Sequence, residues 1–132
     1  MKTTLKVILV FILILALSVN AFASTIGLQW TYLSRITSLL SINAYGKATA
    51  TGSVTLKDND KVSVEVNLQQ LKSDGWTTIK TWTGSDIQSC VVSGKYYVMS
   101  DNSYRTETIA RVYNANGDKL EEDKIYSDVR KY

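Results

Sequence analysis

Histidine and proline are absent from the 132 residues, cysteine occurs once, and both phenylalanines, Phe11 and Phe22, lie near the start of the chain. Each absence excludes something. Without histidine there is no Ser-His-Asp or Cys-His nucleophile system and no histidine-ligated metal site. A lone Cys90 cannot form an intramolecular disulfide, and it has no neighbouring base to activate it for catalysis. In Ile87-Gln-Ser-Cys-Val-Val92 it reads as a small buried hydrophobe, with an exposed thiol pairing to a partner as the alternative. Gly84, Gly94 and Gly117 are isolated, so no glycine-rich phosphate loop exists, and no cofactor is expected. Asp58-Asn-Asp60 and Asn114-Ala-Asn-Gly-Asp118 lack the ordered ligands of a calcium loop and are read as turns, so no metal is expected. The lack of proline removes one usual guard of edge strands, leaving Lys61, Lys80, Arg105 and Lys124 to supply it.

What is present begins with a leader pattern. Lys2 and Lys6 precede an apolar run from Val7 to Leu17, and Ala21-Phe22-Ala23 follows as a small-x-small cleavage site. The run falls short of the roughly 20 residues of a membrane span. Residues 1–23 are therefore expected to be a signal peptide, with a single domain over 24–132, secreted and without a membrane contact after cleavage. Taking Lys2 and Lys6 from the 15 basic residues leaves 13 against 12 acidic ones. A near-neutral domain with no basic run lacks the footprint of a nucleic-acid binder. About 109 residues without a disulfide should bury somewhat over 60% of their unfolded surface, enough for one independent domain.

Alternation with period two runs through most of that domain. From Ile36 to Leu56 the even positions are apolar or small and the odd ones mostly polar; Ala44-Tyr45-Gly46 divides the run into two strands. Val62, Val64, Val66 and Leu68 continue the pattern, Ser73-Asp74-Gly75 marks a hairpin, and Trp76-Thr-Thr-Ile-Lys-Thr-Trp82 returns. Turns are expected at Gly84-Ser85-Asp86, Ser93-Gly94, Asp101 to Ser103 and Asn114 to Asp118, with strands at 87–92, 96–99, 104–113 and 120–126. Residues 24–32 are read as a loose arm, and an extended strand from Leu33 is preferred to a short helix over 26–40. The pattern predicts an all-β fold, an antiparallel β-sandwich of about seven strands.

Gly46-Lys-Ala, Val62 to Gln69, Trp76 to Trp82, Tyr104-Arg and Val112-Tyr-Asn resemble a group of small secreted bacterial single-domain proteins classed as a domain of unknown function. More loosely, Tyr104 to Gly117 is similar to the penultimate strand of fibronectin type III or immunoglobulin-like domains. The resemblance implies a β-sandwich and secretion, and no activity. It also suggests Tyr104 as a corner tyrosine whose hydroxyl bonds the backbone.

For acid–base chemistry only carboxylate pairs remain. Glu65 and Glu107 are the strand-interior acids outside the last strand, nothing selects them as a catalytic pair, and no enzyme is expected. The aromatics stand out instead. After the leader they are all tryptophan or tyrosine. Trp76 and Trp82 share strand parity, which would place them on one face about 20 Å apart. There they would stack on sugar rings or anchor a protein; the preferred alternative has Trp76 capping the sheet edge and Trp82 in the core. Trp76, Trp82 and Tyr97 are the candidate contact residues. The expected function is a secreted, non-enzymatic binding or structural module for an extracellular or surface protein. Glycan binding through the same rings and a toxin or inhibitor role are the alternatives.

Overall fold

The computed structural model describes residues 29–132, so the expected signal peptide lies outside the described residues. Eight strands follow in order: β1 (Leu33–Ile42), β2 (Lys47–Leu56), β3 (Lys61–Lys72), β4 (Gly75–Ile87), β5 (Ser89–Tyr97), β6 (Ser103–Tyr113), β7 (Lys119–Tyr126) and the short β8 (Arg130–Lys131). They form two antiparallel sheets, β1-β2-β5 and β4-β3-β6-β7, with β8 pairing β6 beyond the end of β7. Relative to an immunoglobulin constant-type order, the fourth strand has moved to the opposite sheet. The expected antiparallel sandwich is thus the observed fold.

The alternation explains the layers. Val62, Val64, Val66 and Leu68 of β3 are fully buried between the sheets, opposite Val54, Leu56 and Ala50 of β2 and beside Ala110 and Val112 of β6. A belt of hydroxyls crosses the core. Ser38 Oγ donates to the Thr106 carbonyl at 3.0 Å and accepts from Thr108 Oγ1 at 2.9 Å. Gly52 sits against this belt, where a Cβ would lie 2.6 Å from Thr108 and from Val66. Glycine in a strand interior here marks close approach of the two layers.

Two expected turns are strand instead. β4 runs through Gly84 to Ile87, and β5 runs through Gly94 to Tyr97. A Cβ on Gly84 would lie 2.9 Å from the Val92 side chain, and one on Gly94 would fall inside the Trp82 ring. Both glycines make room between sheets, and the chain turns between β4 and β5 at Gln88, which has φ 66°.

The arm expected to be loose is tied down from Trp30 onward. Trp30 Nε1 donates to Asp123 at 2.6 Å, and the backbone N–H groups of Thr31, Tyr32 and Leu33 donate to the Glu121 carboxylate at 2.8, 3.0 and 3.1 Å. Glu121 thereby does for this strand start what a cap does for a helix.

Candidate functional site

Strand connectivity gathers most of the tyrosines at one end of the sandwich. That end carries the β1–β2 turn, the β3–β4 turn, the segment from β5 to β6, and the last residues of the chain. In the first turn Asn43 Oδ1 accepts the N–H groups of Tyr45 and Lys47, both at 3.0 Å, and Gly46 takes a left-handed φ of 79°. The geometry leaves no room for another residue at 46. A Cβ there would stand 2.8 Å from the Tyr132 ring and 2.9 Å from the Val98 carbonyl. Tyr45, the residue before it in the turn, is 86% exposed.

The segment after β5 is fastened to the same turn. Val98 N–H donates to the Gly46 carbonyl at 2.8 Å. The Tyr104 hydroxyl donates to the Met99 carbonyl at 2.7 Å, the corner-tyrosine bond expected for the start of the penultimate strand. Burial raises the Tyr104 hydroxyl above its usual value, so it stays a donor. Asn102 and Tyr132 exchange two backbone bonds at 3.2 and 3.1 Å, which fixes the chain end beside the turn. On this braced frame Met99 is 76% and Tyr97 67% exposed, with Tyr96 beside them. The Lys47 ammonium lies 6.0 Å from the centre of the Tyr97 ring.

Trp76 stands on the flank of the same end. Its ring lies 4.4 Å from the Arg105 guanidinium, which is itself 3.9 Å from the ring of Tyr126 and donates to Gln69 Oε1 at 2.8 Å. This cation–π stack lies on the outer face of the larger sheet. Trp82 is elsewhere. It packs inside the sandwich on Gly94 and touches both halves of the core. The shared face expected for Trp76 and Trp82 is therefore wrong. Leu68 faces Lys80 but Gln69 faces Thr78, so β4 carries a bulge at Ile79 that reverses side-chain parity between the two rings.

Of the three candidate residues, Tyr97 and Trp76 belong to one end and Trp82 to the core. Tyr45, Met99 and Tyr132 were missed. Their signal was present for Tyr45, since an aromatic in a four-residue Asn-Ala-Tyr-Gly turn has no core to enter. For Tyr132 there was none.

Away from this end, the outer face of the larger sheet brings Glu65 and Glu107 together. Asn67 Nδ2 donates to both carboxylates, at 2.9 and 3.0 Å, and Thr81 donates to Asn67 Oδ1 at 2.6 Å. Arg111 bridges Glu65 and Glu122 at 3.0 and 3.1 Å, and Lys119 meets Glu122 at 2.8 Å. The Asn67 hydrogen bond, and after it Arg111, hold the Glu65 carboxyl below the usual carboxylate range. The Lys119 hydrogen bond does the same for Glu122. Glu65 is thus an ionised acceptor in a structural network rather than a proton donor. Cys90 is buried among core residues, and desolvation followed by the Asp86 charge pushes its thiol up, as for an inert cysteine.

No family model matches the chain, and no curated protein matches it. The resemblance to secreted bacterial domains of unknown function thus finds no support there. Among solved structures the chain is similar to the solution structure of R. palustris CsgH, at 15% identity and a TM-score of 0.36, over 70% of this chain and 89% of that one. An overlap of that quality carries no inference about ligand or partner.

Proposed function

We propose that this domain is a secreted, non-enzymatic binding module whose aromatic end contacts an extracellular or surface protein. The observation that carries the reading is the exposure of Tyr45, Met99 and Tyr97 together on a frame held by backbone hydrogen bonds. Tyrosine, tryptophan, methionine and arginine are the residue types enriched in protein interfaces. A braced frame reduces the ordering cost that association must meet. Arg105 between Trp76 and Tyr126 adds a cation with its guanidinium already oriented.

The glycan alternative is weakened by the arrangement of the rings. One face of Trp76 is occupied by Arg105, and Trp82 serves the core, so the two rings do not make a common stacking platform.

A photo-crosslinking residue in place of Tyr97, with a control in place of Asn116 in the exposed β6–β7 turn, tests the proposal on the surface of producing cells. A discrete protein adduct from position 97 and none from 116 supports it. Equal labelling from both positions, or an adduct that a glycosidase destroys and a protease does not, overturns it.

A further inference from the structure

Among the described residues, the β4 edge of the larger sheet has no hydrogen-bonded neighbour. β4 is the terminal strand in its sheet, 13 residues long, and among the described strands it pairs only β3. Its inner side is covered at Trp82 and Gly84 by residues of β5, while no described strand pairs the edge itself. From Lys80 to Ile87 its register against β3 is unbroken, so this stretch is regular strand. An unpaired strand edge is a template for another strand.

We propose that β4 pairs antiparallel with β4 of a second copy of this chain, with Thr83 opposite Thr83 on the two-fold axis. The charges single out this register. With Thr83 on the axis, Thr81 faces Ser85, Trp82 faces Gly84, and Lys80 faces Asp86 of the other copy; each of these pairs occurs twice by symmetry. Lys80 and Asp86 are both exposed, and neither joins an ion pair among the described residues. Moving the axis by one residue sets Lys80 against Gly84 or Gln88 and leaves both charges facing neutral groups.

Lys80 consequently has two effects. Against an uncharged foreign strand it is the kind of charge that blocks edge pairing. Against this strand's own copy it meets a carboxylate. The edges β1 and β5 carry a single charge each, Arg35 and Lys95, and lack such a complement. The two-fold axis stands perpendicular to the sheet, so the aromatic ends of the two copies would point in opposite directions and the dimer would be bivalent. The pairing itself does not depend on what those ends bind.

Sedimentation equilibrium of the purified protein tests the pairing. The expected result is a concentration-dependent dimer, weakened roughly tenfold by Lys80→Glu or by Asp86→Lys and restored when both are present, as expected for two cross-strand charge pairs reversed and then exchanged. Unchanged thermal unfolding of the variants confirms that they fold. Oxidation of a Thr83→Cys, Cys90→Ser variant should give a disulfide-linked dimer, while Thr78→Cys in the same background should not. A monomer at all concentrations overturns the proposal. So does a double variant no tighter than the singles, or equal cross-linking from position 78.

Discussion

Replacing Gly94 by alanine introduces one methyl group at the point where β5 passes beneath the Trp82 ring. A Cβ at that position would overlap the indole at Cε2, Cδ2 and Nε1, so the ring must move. It has little space to do so, because it touches both halves of the core. Overpacking of this kind costs about 1–3 kcal/mol, and a rigid ring places this site toward the upper end. For a domain of about 100 residues each kcal/mol lowers Tm by roughly 4–8 °C, so a fall on the order of 10–20 °C is expected. Thermal unfolding followed by near-ultraviolet circular dichroism reads both the midpoint and the packing of the ring. Trp82→Leu alone leaves a cavity and is also destabilising, at about 2–4 kcal/mol. Combined with Gly94→Ala, it should cost less than the sum of the two, with a coupling above about 1 kcal/mol. If Gly94→Ala melts within about 2 °C of the parent, the position assigned to Trp82 is wrong.

Three further outcomes follow from the geometry. Glu121→Gln weakens the acceptor for three backbone N–H groups, so Trp30 should become more accessible to acrylamide and stability should fall by about 1–2 kcal/mol; unchanged quenching would contradict the tie. Glu65 and Glu122 have lowered folded-state pKa values, so the stability they add is present above about pH 4.5 and is lost as pH falls through those values. Denaturant titrations should show a shallower acid limb for Glu65→Gln, a difference under about 1 kcal/mol because the side chains remain partly exposed. Cys90 should react with a thiol reagent at the rate of unfolding, and rapid labelling of the native protein would refute its burial.

The strands and the buried face were legible because alternation is local. Val62 to Leu68, Thr106 to Val112 and the start of β1 at Leu33 follow directly from period two, and the Tyr104 corner follows from the resemblance of Tyr104 to Gly117 to the penultimate strand of immunoglobulin-like domains. The expected turns at Gly84 and Gly94 failed for a physical reason. A glycine that permits a turn and one that admits a neighbouring side chain look alike until the opposite sheet is known. The bulge at Ile79 was equally silent, and it alone separated Trp76 from Trp82. The aromatic end depends on pairings between distant residues, such as Tyr132 with Asn102 and Gly46 with Val98. Nothing in the local pattern marks Tyr45, Met99 and Tyr132 as neighbours.

The role of the aromatic end is tested most directly by binding of the labelled protein to producing cells, alongside a Tyr45→Ser, Tyr97→Ser, Met99→Ser variant that changes only exposed side chains. Saturable binding is expected, falling at least about tenfold in the variant and disappearing when the cell surface is treated with protease. Binding that ignores the three substitutions, or survives the protease, would contradict that role.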